Sequence, residues 1–82
     1  MSALRFVAWG LVDSKTPGIL DAVKRELWEE HGISLVARPG GFDWYFDDEV
    51  GGRRYAAGTI QGICRLAIEV IEQDALLAEV TP

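Results

Sequence analysis

Eight consecutive positions, Phe42-Asp43-Trp44-Tyr45-Phe46-Asp47-Asp48-Glu49, hold four aromatic rings and four carboxylates. Carboxylates so closely spaced could chelate a hard divalent cation, which prefers oxygen donors. They could also meet the arginines or lysines of a partner. Side chains alternate in direction along a strand, so Asp47, Asp48 and Glu49 converge on one ion only where the chain loops. No EF-hand spacing accompanies them, and no metal site is expected. Across the next turn lie Arg53 and Arg54, an adjacent basic pair. They are expected to pair with the acidic tip. Alternatively, with Gly58-Thr59 at a helix start, they would form a weak anion site of the helix-terminus kind. Neither a P-loop nor a dinucleotide fingerprint is present.

The remaining chemistry is sparse. His31 is the only histidine and Cys64 the only cysteine. Thiol–imidazole catalysis needs the two within hydrogen-bond reach, yet Cys64 falls on the apolar side of a helical segment, where a thiol is ordinarily inert. Glu26, Glu29 and Glu30 could enter acid–base chemistry, but no spacing singles them out. No catalytic residue and no cofactor is assigned, and a non-enzymatic role is preferred.

The elements that position these residues follow from periodicity. Leu4 to Val12 alternates and is apolar on both sides, which predicts a central strand with Leu4, Phe6 and Ala8 on one face and Val7, Trp9 and Leu11 on the other. Thr16-Pro17-Gly18 predicts a helix start, with Thr16 as N-cap and Pro17 in the first turn. Ile19, Leu20, Val23 and Leu27 form its apolar stripe, and His31-Gly32 closes it. Ser34 to Arg38 is a short second strand. After Pro39-Gly40-Gly41 the chain returns as a third, Phe42 to Asp47. Phe42, Trp44 and Phe46 share its core face; Asp43, Tyr45 and Asp47 face out. Gly51-Gly52 turns the chain, and Arg53 to Ala57 is read as a fourth strand rather than the first turn of the last helix. Thr59 to about Asp74 is a helix with Ile60, Ile63, Cys64, Ala67, Ile68 and Ile71 on its apolar face. Leu66 and Val70 widen that face beyond what one sheet needs. Ala75 to Pro82 adds about one helical turn and then frays.

The fold class is therefore α/β (α+β), one small domain over residues 1–82. It is a two-layer sandwich in the order β-α-β-β-(β)-α. A right-handed crossover makes the three- or four-stranded sheet mixed, with two helices on one face. The chain has 82 residues, is 49% apolar and 26% charged, and is large enough for one core. One cysteine excludes an intramolecular disulfide and a cysteine-based zinc site. The run Phe6 to Val12 is too short for a membrane span or a secretion signal, so a cytoplasmic protein is expected. Asparagine is absent and arginine outnumbers lysine, which suggests a GC-rich bacterial or phage coding sequence.

The formal net charge is −5. Nucleic-acid binders need cationic surface to exchange for counterions, so direct nucleic-acid binding is not expected, nor is binding to an anionic membrane. A protein partner with a basic surface fits better. If the outer face of the first strand is continuous with Tyr45, an apolar patch edged with carboxylates results. Trp9, Asp43, Tyr45, Asp47, Asp48 and Glu49 are the expected partner-binding residues. In size and charge the chain looks like small phage-borne inhibitors such as anti-CRISPR proteins. That likeness covers no motif and carries over no residue. It implies an inhibitor occupying a basic, nucleic-acid-binding groove. The alternative is a small homo-oligomer, such as a homodimer, that binds a metabolite or catalyses at its subunit interface.

Overall fold

The computed structural model describes residues 2–40, 43–49 and 51–80. Among them are three helices and three strands, in the order α1 (Ala3–Ala8), α2 (Ile19–His31), β1 (Val36–Ala37), β2 (Trp44–Asp48), β3 (Arg53–Ala57) and α3 (Ile60–Val80). The protein is a small α+β domain. No described helix is long and apolar enough to cross a membrane.

The segment expected to be the first strand is a helix. Leu4, Val7 and Ala8 are fully buried, and their spacing is that of one helical face. Ser2 caps the start: its Oγ accepts from the Arg5 N–H at 3.1 Å. Glu26, reaching over from α2, completes the cap. Its carboxylate accepts from Ser2 Oγ at 2.5 Å and from the Leu4 N–H at 3.2 Å. Gly10, at φ 73°, ends the helix. The Gly10 N–H donates to the Val7 carbonyl and the Leu11 N–H to the Phe6 carbonyl, the paired bonds of a Schellman motif. With no strand at 4–12, no parallel crossover exists, and the expected mixed sheet is wholly antiparallel.

α2 forms where expected but begins two residues later. Its N-cap is Gly18 at φ 83°, which supplies no side-chain bond. Thr16 instead closes a turn, its carbonyl accepting from the Ile19 N–H at 3.1 Å. Gly32 ends α2 in the left-handed conformation at φ 66°, as the sequence predicts. α3 begins after Thr59, whose Oγ1 accepts from the Gly62 N–H at 3.0 Å. It continues to Val80, through the single further turn expected after Asp74 and slightly beyond it.

The sheet order is β1-β2-β3. β1 is only two residues long and pairs Val36 with Tyr45 and Ala37 with Trp44. β2 pairs along its full length with β3, from Trp44 opposite Ala57 to Asp48 opposite Arg53. Gly41 and Phe42, expected in the turn and third strand, lie outside the described residues. α1 packs on α2 and α3, and α3 packs on β2 and β3. Phe46, Val23, Leu27, Ile63, Cys64 and Ala67 meet with α1 in one buried cluster. Each large apolar side chain so buried contributes about 1.5–3 kcal/mol.

Candidate functional site

Alternation along β2 sorts its side chains. Phe46 is completely buried, and its ring stacks on Tyr55 of β3 with centroids 5.2 Å apart. Trp44 on the same face packs against the core, with Lys24 of α2 5.7 Å from its ring. The opposite face carries Asp43, Tyr45 and Asp47, all half-buried or exposed.

Most of that outward charge is neutralised within the sheet. Arg54 on β3 lies opposite Asp47 and donates to both its oxygens, from Nε at 2.7 Å and from Nη2 at 3.3 Å. The bidentate bond holds the Asp47 carboxyl below the ordinary carboxylate value and raises Arg54. The Arg54 guanidinium also sits 4.3 Å from the Tyr45 ring centroid, in cation–π range. On the other side Arg38 lies 6.0 Å from the same ring and 3.8 Å from Asp43. Tyr45 is thus flanked by two arginines, and each arginine is matched to an aspartate. The expected pairing of the acidic strand with the basic pair forms through Arg54. Arg53 instead lies 6.0 Å from the Tyr55 ring, on the core-facing side. With Arg54 engaged by Asp47 and Arg53 by Tyr55, the two guanidiniums point to opposite faces and form no joint anion cradle.

The acidic tip is different. Asp48 lies against the turn, where a Cβ at Gly51 would meet its Oδ2 at 2.9 Å. Among the described residues neither Glu49 nor Asp74 makes an ion pair. Two clefts meet here. One, of about 300 Å³, is lined by His31, Asp47, Asp48, Glu49, Ile71 and Asp74. The other, of about 230 Å³, is lined by Trp28, Ser34, Val36, Tyr45, Asp47 and Glu49. Asp47 and Glu49 line both clefts. Among the described residues no His, Cys, Asp or Glu cluster could hold a metal ion.

Trp9 does not join this surface as expected. It ends α1, 57% exposed, beneath the Arg5 guanidinium at 5.7 Å, while Val7 beside it is buried. The continuous outer face of Val7, Trp9, Leu11 and Tyr45 depended on a strand that is a helix. The aromatic that does border Tyr45 is Trp28, 63% exposed on α2. Sequence reasoning passed over it, although a signal existed. Trp28 falls outside the Ile19–Leu20–Val23–Leu27 stripe, so a large ring was bound to lie off the core-facing side of the helix. Cys64 is fully buried, and burial pushes its thiol up to about 11. Glu26, noted for acid–base chemistry, is engaged in capping α1.

Comparison with protein-family models, with curated proteins and with solved structures returned no match.

Proposed function

We propose that this chain is a non-enzymatic protein-binding module whose contact surface is the cleft rim formed by Trp28, Tyr45, Asp47, Glu49 and Asp74. The observation that carries this reading is the exposed Trp28 ring in one cleft with Glu49, which, like Asp74 in the adjoining cleft, has no ion-pair partner among the described residues. A tryptophan in a partly enclosed setting is a favoured anchor for a partner. The unpaired carboxylates select for arginine or lysine and accelerate encounter with a basic surface. A nucleic-acid-binding groove is one such surface, and occupying it would make the chain an inhibitor.

Fluorescence anisotropy with labelled arginine-rich and glutamate-rich peptides tests the reading. The basic peptide binds at low salt, weakens as salt rises, and loses on the order of 30-fold in affinity with Trp28→Ala. Glu49→Gln with Asp74→Asn weakens it several-fold, while Arg25→Gln leaves it unchanged. Equal binding of both peptides, or basic-peptide binding indifferent to Trp28→Ala, overturns the assignment.

A further inference from the structure

β3 is a five-residue strand at the edge of the sheet, hydrogen-bonded only to β2. Every second residue of such an edge turns its N–H and C=O away from its neighbour. Among the described residues no other backbone or side chain satisfies those groups in β3. The strand contains no proline and no bulge, and among the described residues no segment pairs with this edge, the devices that usually blunt one. Its sequence, Arg53-Arg54-Tyr55-Ala56-Ala57, places both charges at one end and both small residues at the other.

The geometry points to a second copy of this chain as the occupant of that edge, paired antiparallel through β3 about a two-fold axis at Tyr55. In this register Arg53 lies opposite the partner copy's Ala57, and Arg54 opposite its Ala56. No like charges face each other, and each long side chain crosses a methyl group. A parallel pairing would instead set arginine beside arginine. The contact is self-complementary, as a two-fold interface requires.

The helix beside β3 fits the same axis. A Cβ on Gly62 would meet the Ala57 Cβ at 3.3 Å, and Gln73 and Leu77 border Arg53 and Tyr55. The row Gly62, Leu66, Gln73 and Leu77 on α3 therefore runs along β3. Leu66 is half-buried, and Leu77 is 57% exposed. Two strand residues advance ~6.6 Å and four helical residues ~6 Å, so Leu66 stands level with Tyr55. A helix riding above β2 and β3 lies about 10 Å from its copy across the axis, an ordinary helix-packing distance. Leu66 then meets Leu66 of the second copy. This covers the part of Leu66 that stays exposed; Val70, the other residue that widens the α3 apolar face, is already buried within the chain. None of these residues lines the cleft that holds Trp28 and Tyr45, while Asp74 of the rim borders Arg53, Tyr55 and Leu77.

Sedimentation of the full chain over a concentration series reads the dimer dissociation constant. A species of twice the 9.0 kDa chain mass is expected. Ala56 is exposed and faces outward, so it tolerates substitution, and circular dichroism checks that the variants keep the fold. Ala56→Arg sets charge against the partner copy's Arg54 and weakens the dimer. Ala56→Glu sets an opposite charge there and tightens it. Two such cross-strand pairs form per dimer, so each change is about 2- to 30-fold, in opposite directions. A monomeric wild type, or a dimer that responds alike to both substitutions, overturns the inference.

Discussion

On one face of β2, Phe46 is sealed into the core and stacks on Tyr55. One residue earlier, on the other face, Tyr45 lies between Arg38 and Arg54, each matched to an aspartate. The same alternation produces both faces, yet different physics holds them. The inner face is stabilised by area removed from water. The outer face is stabilised by charge matching in a well-screened setting, which contributes little to stability. A strand rich in carboxylates is therefore not automatically an acidic binding surface. Arg38 and Arg54 cancel Asp43 and Asp47, and the usable charge moves to Glu49 at the tip and Asp74 on α3.

The sharpest way to break this contrast is Phe46→Ala. Emptying the centre of the core should cost about 3–5 kcal/mol, read by urea denaturation. Tyr45→Ala on the outer face should cost far less. A comparable loss from both would mean that the two faces are not energetically distinct.

Glu26→Ala comes next, because it removes the cap that ties α1 to α2. A loss of about 1–2 kcal/mol is expected, with faster hydrogen exchange in Leu4 and Arg5 than in β2. Uniform exchange across the chain would show that α1 is not separately anchored.

Cys64 probes the inner face through its proton. Its thiol is pushed from the ordinary 9.0 to about 11, so the folded state holds the proton more tightly than the unfolded chain does. The associated stability is whole below pH 9 and is lost as pH rises toward 11. Alkylating reagents at pH 8 should leave Cys64 intact in the native protein and modify it in urea. Rapid native labelling would contradict its burial.

The smallest effect belongs to Arg54→Ala. Both partners of the Arg54–Asp47 pair are exposed, so the urea midpoint at pH 7 should barely move. The lowered Asp47 value gives a contribution present above pH 3.8 and lost as pH falls through the folded value. Wild type and variant should therefore converge in strongly acidic solution. The functional consequence should be larger: with Asp47 unpaired, the outer face becomes more acidic, and basic-peptide binding should strengthen. Weaker binding would mean that Arg54 itself contacts the partner.

Much of the local structure was legible in the chain. The core and outward positions of Trp44, Tyr45, Phe46 and Asp47, the Gly32 cap, the strand at Arg53–Ala57 and the apolar face of α3 all followed from spacing. The first segment was misread because nine apolar-rich residues fit both periods. Leu4, Phe6 and Ala8 alternate like a strand, while Leu4, Val7 and Ala8 repeat like a helix. Gly10 argued against a strand interior, and Ser2 is a good N-cap. Those two signals favour the helix, and alternation alone takes no account of them.

What the sequence determined by itself is therefore local. Alternation set the two faces of β2, glycines set the ends of α1 and α2, and helical spacing set the buried side of α3. Tertiary structure decided what these elements meet. Glu26, twenty-four residues along the chain from Ser2, completes the cap of α1. Trp28 rather than Trp9 borders Tyr45, and Arg54 rather than solvent receives Asp47. Periodicity is carried by each residue's immediate neighbours, whereas charge cancellation and aromatic juxtaposition depend on segments that become neighbours only when the core closes.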